Sequence, residues 1–223
     1  MKYINLLILL ALSIFNILKF ERIELFLTNV GLSWTLSKLI PYLTLILLGF
    51  LLARWFKRRI IFKLPYVRKI VFITALFLPF IAGFIINPIY SGDFSQNGTE
   101  IADPVKMSDF RNADLAVIAI PGCPHCFGSI AKLKRIKDRN PKIRIKFIVC
   151  TKSNADLKEY QTEGGTAITV VKANNPETLG ELAEGRFPTF ALVLSSKAVY
   201  KWSNDQFGVR AIDKLEDDLK PKK

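Results

Sequence analysis

The stretch "AIPGCPHCFGSI", residues 119–130, carries two of the three cysteines in a 223-residue chain and its only histidine. Two cysteines separated by two residues can be a redox couple, half of a zinc site, or two buried thiols that happen to be neighbours. The flanks narrow the choice. Upstream, "DLAVIAI" (114–120) is a short apolar run bounded by polar and turn residues, which suits a buried strand. Downstream, Phe127, Ile130, Leu133 and Ile136 recur at three-residue spacing and predict an amphipathic helix. Cys123 therefore falls at a strand–helix junction, where open backbone N–H groups and the helix dipole stabilise a thiolate. Pro124 suits the first turn, where its missing N–H costs nothing. Cys126 follows one turn later on the same face, within disulfide range and more buried. A zinc site needs about four ligands. The chain offers one further cysteine, Cys150, and no second histidine, so no metal is expected.

Beyond the helix the periodicity keeps alternating. "IRIKFIVC" (143–150) and "TAITVVKA" (166–173) read as strands, with "SNADLKEYQ" as a helix between them. Asn175-Pro176-Glu177 has the form of an N-cap followed by proline at the first helical position. "TFALVLSSKAVYKW" predicts a hairpin turning at residues 195–197, and a last helix is expected over about 206–219. Alternating strands and helices imply an α/β domain: a central mixed sheet, mostly parallel, flanked by helices, with the hairpin as its antiparallel edge. The basic run 132–146, eight bases and one acid, reads as a solvated helix face.

These motifs resemble the thioredoxin-like superfamily over roughly residues 105–220. The Pro124-His125 dipeptide is similar to that of DsbA-type disulfide oxidases, and "RFPTF" (186–190) resembles the superfamily's cis-proline loop. The order of elements, with a full strand and helix between Cys150 and Pro188, looks most like the membrane-tethered TlpA-like branch. The resemblance implies a Cys123–Cys126 disulfide with Cys123 as nucleophile and Cys126 as resolving thiol. It also implies thiolate stabilisation by His125, a cis Pro188 facing the disulfide, and substrate contacts at Phe187, Pro188 and Thr189. No cofactor is implied, only protein thiols or disulfides as substrate and a separate redox partner for electrons. The alternative is a redox-sensing or assembly module that binds a partner through the same fold with little turnover. One departure is plain: many relatives keep a buried acid about six positions before the first cysteine, and here Val117 stands there. Cys150 is read as a packing residue.

The first 90 residues are of another kind. They hold 11 Lys and Arg against 2 acids, while the remainder holds 21 against 17. A net charge of +13 would ordinarily suggest nucleic acid. Here the excess lies between hydrophobic runs, so no nucleic-acid partner is expected. Three transmembrane helices are expected, at about 3–20, 37–56 and 70–90, each near the length that crosses a bilayer. No small-x-small cleavage site precedes Lys19, so the first is read as a retained span. Residues 54–69 carry seven bases and no acid, which places that loop in the cytoplasm by the positive-inside rule. The N-terminus is then cytoplasmic and everything after Tyr90 lies outside. Residues 91–104, rich in Gly, Ser and Asn, read as a linker to the domain at 105–223.

Overall fold

The computed structural model describes residues 3–59, 64–94 and 98–220. They form two units, Met1–Ile89 and Tyr90–Lys223.

The first unit is helical: α1 (Ile4–Leu18), α2 (Phe20–Asn29), α3 (Trp34–Arg59) and α4 (Pro65–Ile86). Helices α3 and α4 are each long and apolar enough to cross a membrane. Helices α1 and α2 qualify only as a pair, bent by 73°. Two expectations need correcting. The first apolar helix ends at Leu18 rather than Phe20, because Lys19, the charged residue that ends the apolar stretch, separates it from α2. The third apolar helix ends at Ile86 rather than Tyr90, because Pro88 disfavours helical backbone at Asn87. Asn87 then ties the unit together. Its carbonyl accepts from the Tyr42 hydroxyl, and its side-chain amide donates to the Ile17 carbonyl at 3.3 Å. Helices α3 and α4 approach closely at Gly49, where a Cβ would collide with the Leu76 carbonyl.

The second unit opens with a short turn of helix, α5 (Ser91–Phe94), and strand β1 (Thr99–Lys106). After a 3₁₀ turn at Ser108–Phe110 come β2 (Leu115–Ala119), α6 (Pro124–Arg139), β3 (Ile145–Val149) and α7 (Asn154–Gly164). The chain ends with β4 (Thr169–Lys172), α8 (Pro176–Ala183), β5 (Thr189–Leu194), β6 (Lys197–Ser203) and α9 (Val209–Leu219). The sheet runs β1-β6-β5-β2-β3-β4. Strands β2, β3 and β4 are parallel, and β5, β6 and β1 join antiparallel.

Burial explains the pattern. All five residues of β2 are buried, as a central strand covered on both faces requires. Ala116, Ile118, Ile148, Ala191 and Val193 share one core with Leu179 and Leu182 of α8. On the opposite face the rings of Phe147 and Tyr160 stack, as do those of Phe190 and Phe207. The hairpin turns through Ser195 and Ser196, both at positive φ (52° and 62°), the backbone that matches the twist of two paired strands.

Of residues 91–104, expected as a linker, 91–94 and 98–104 are built into the second unit instead; 95–97 lie outside the described residues. Strand β1 pairs with β6. Asp93 is buried, and its carboxylate accepts the Tyr90 N–H at 2.9 Å and the Val209 N–H at 3.4 Å. Because the N-cap of α9 is Gly208, which has no side chain to offer, Asp93 supplies a cap from a distance. Gly208 lies so close to Gly92 that a Cβ on it would overlap the Gly92 backbone. Polar composition misled the reading: these residues contribute backbone pairing and a cap, neither of which needs apolar side chains.

Candidate active site

The parallel pairing of β2 with β3 seats Cys123 just past the carboxyl edge of the sheet. Gly122 makes the turn at φ +70°. Cys123 is the N-cap of α6, with Pro124 as the first helical residue. The Cys126 N–H donates to Cys123 Sγ at 3.1 Å, so the sulfur occupies the place a serine or aspartate oxygen takes in an ordinary cap. Cys123 and Cys126 form a disulfide with Cα atoms 5.2 Å apart. Their exposure differs. Cys126 is fully buried, Cys123 is partly open, and Pro124 and His125 are exposed.

Strand pairing also brings in a second segment. Thr189 opens β5 opposite Ile118 of β2, which sets the preceding loop beside the end of β2. The Phe187–Pro188 peptide in that loop is cis. The Phe187 carbonyl oxygen lies 3.9 Å from Cys123 Sγ. Thr189 Oγ1 donates to the Arg186 carbonyl at 2.5 Å and so closes the loop on itself. A disulfide at a strand–helix junction, facing a cis-proline loop across a mixed sheet, decides the fold. The second unit is thioredoxin-like.

No protein-family model matches the sequence, and none of the curated proteins does. Among solved structures the chain is similar to a secreted Mycobacterium tuberculosis disulfide oxidoreductase homologous to E. coli DsbE. The two are 13% identical, with a TM-score of 0.36, over 47% of this chain and 80% of that one. It is also similar to a DsbF homologue from Corynebacterium diphtheriae, at 11% identity and a TM-score of 0.40, over 59% and 98%. A third is the thioredoxin domain of a thiol-disulfide oxidoreductase from Bacteroides vulgatus, at 17% identity and a TM-score of 0.38, over 57% and 99%.

Within this thioredoxin-like unit, Val117 is fully buried between Phe147 and Phe190, its partners on the neighbouring strands. Among the described residues, no group of three or more His, Cys, Asp or Glu side chains is arranged to hold a metal ion. Cys150 is a free thiol that follows β3, its N–H bonded to the Ala119 carbonyl at 2.8 Å. Burial, and then the charge of Asp109, push that thiol up to about 11. It packs against the same core as Phe187.

Sequence reading missed one residue beside the disulfide. Tyr160, on α7, is buried, and its hydroxyl donates to the Ile120 carbonyl at 2.9 Å. The Cys123 N–H lies near the same phenol oxygen, close enough to pull its pKa down. Burial foremost, with the charge of Glu159, raises the Tyr160 pKa above its ordinary value, against the pull of that N–H. The phenol therefore stays protonated. The only sequence signal was its place with Leu157 on the inward face of α7, which reads as packing.

Proposed function

We propose that the chain is a membrane-anchored extracytoplasmic thiol–disulfide oxidoreductase working through Cys123 and Cys126. The observation that carries this reading is the asymmetry of the pair: an open sulfur at a helix N-terminus, bonded to a buried one. In the reducing direction, Cys123 thiolate attacks a substrate disulfide and releases one substrate thiolate. Cys126, losing its proton, then attacks Cys123 Sγ, forms the Cys123–Cys126 bond and releases the second. In the oxidising direction a substrate thiolate attacks Cys123 Sγ and displaces Cys126 thiolate; a second substrate thiolate then attacks the substrate sulfur of the mixed disulfide, forms the substrate disulfide and releases Cys123 thiolate. The potential of the couple sets the direction. His125, on the first turn of α6, stabilises the Cys123 thiolate. Phe187, Pro188 and Thr189 take the substrate backbone beside the sulfur.

The first unit serves as a three-span anchor, with the α1–α2 pair as one broken span. The seven bases at 54–69, six of them on the adjoining ends of α3 and α4, keep that end of the anchor in the cytoplasm and put the second unit outside, where a disulfide persists. All three cysteines lie in the second unit, so electrons come and go through a separate partner.

Cys126→Ala tests the enzymatic reading. Several proteins should accumulate as mixed disulfides on Cys123 in the membrane fraction. Capture of a single stoichiometric partner, with no turnover by the purified chain, would replace an enzyme with a binding module. The topology fails if an impermeant thiol reagent does not reach reduced Cys123 in intact cells.

A further inference from the structure

We infer that Tyr160 is a positioning residue for the nucleophilic cysteine, holding the turn that delivers Cys123 to the helix N-terminus. This deepens the reading of the Cys123–Cys126 pair as an exchanging couple and rests on it. Three observations combine. The Tyr160 hydroxyl holds the turn at its near end, donating to the Ile120 carbonyl at 2.9 Å, and lies near the Cys123 N–H at its far end. Its ring cannot swing away, because it stacks on Phe147 at 5.3 Å and meets Phe127 of α6 at 5.7 Å. The turn between those ends, Pro121-Gly122, is exposed and passes through a positive φ, so little else fixes it.

The chemical consequence concerns the thiolate. Cys123 Sγ gains stabilisation from α6 only while it stays at the N-cap, 3.1 Å from the Cys126 N–H. A hydrogen bond to an ionised acceptor weakens steeply as its geometry loosens. Tyr160 preserves that geometry when the disulfide opens and the covalent tie between the two sulfurs is gone. Where relatives keep a buried acid, this chain has Val117. Tyr160 instead reaches the site from the crossover helix, and it acts on the backbone rather than on the sulfur.

Tyr160→Phe removes the hydroxyl and keeps the ring. Two readouts are taken on the full chain in detergent: the pH profile of Cys123 alkylation, and the equilibrium of the Cys123–Cys126 pair with glutathione. The alkylation midpoint should rise. The equilibrium should move about fivefold towards the disulfide, roughly 20 mV at 29.6 mV per tenfold. Phe207→Leu is the control, since it loosens the core on the same face of the sheet and leaves Tyr160 and its ring neighbours in place; it should move neither readout. An unchanged profile and equilibrium in Tyr160→Phe, or an equal shift in Phe207→Leu, makes Tyr160 a packing residue and overturns the inference. A wild-type chain that exchanges nothing with glutathione removes the reading of the couple itself, and this inference with it.

Discussion

The amide nitrogen of Cys126 lies 3.1 Å from the sulfur of Cys123, so helix α6 is capped by one cysteine through the backbone of the other. On reduction that donor faces a thiolate, together with the other open N–H groups of the first turn. The Cys123 thiol is therefore expected to titrate below the ordinary cysteine value of about 8.5. Alkylation rates against pH read this directly. His125→Ala should raise the midpoint by less than about one unit, since an exposed charge pair contributes roughly 0–1 kcal/mol. A midpoint unmoved by His125→Ala would leave the helix terminus as the whole source.

Cys150 should behave in the opposite way. With its thiol pushed up to about 11 by burial and the Asp109 charge, its thiolate fraction at pH 7 is about one part in ten thousand. A short iodoacetamide pulse on the reduced chain at pH 7 is expected to modify Cys123 and spare Cys150. Unfolding should expose Cys150 to the reagent. Labelling of folded Cys150 at the rate of a free cysteine would contradict its assignment to packing.

The start of the central sheet gives a pH-dependent prediction. Burial disfavours the charged Asp114 carboxylate, but Arg144 outweighs it and holds the pKa below 3.8. The guanidinium bonds both carboxylate oxygens, and the Arg144 N–H adds a third bond at 2.9 Å. A lowered folded-state pKa means that this stabilisation is complete above 3.8 and disappears as pH falls through the folded value. Asp114→Asn should cost roughly 0.5–1 kcal/mol at pH 7, kept small by the exposure of Arg144. Denaturant midpoints should show the gap to wild type closing in acid.

Asp93 tests whether the segment after the first unit belongs to the fold. Asp93→Ala removes the acceptor for the Tyr90 and Val209 amides and should destabilise the second unit by about 1 kcal/mol. For a unit of this size that lowers Tm by about 4 °C. Gly208→Ala should cost at least as much, because its Cβ would overlap the Gly92 backbone. Wild-type stability in both variants would return residues 91–104 to the status of a linker.

Much of the second unit could be read from the sequence because its signals are local. Buried strands β2 and β3, the proline-led starts of α6 and α8, and the Ser195–Ser196 turn each announce themselves within a few residues. The Cys123–Cys126 pair was legible for the same reason. Strand β1 was not: only two residue pairs at each end match it to β6, with an irregularity between, and its sequence includes Pro104. Asp93 caps a helix more than a hundred residues away, which no window of sequence can show. Tyr160 was hidden differently. Nothing separates a packing tyrosine from a positioning one until β3 and α7 bring its hydroxyl to the Ile120 carbonyl. The break at Lys19 likewise depends on how α1 and α2 turn, where hydropathy sees one apolar run followed by a charged one.

The central claim is that Cys123 and Cys126 form an exchanging redox couple. Equilibrating the full chain against graded glutathione ratios, and counting thiols by mass shift, tests it most directly. One reversible two-electron transition is expected, lost in Cys123→Ala. It should lie between the value of about −120 mV for DsbA and that of about −270 mV for thioredoxin, and the nearer end names the direction of transfer. No reversible transition in that range, or one that survives Cys123→Ala, would mean that Cys123 and Cys126 are not an exchanging couple.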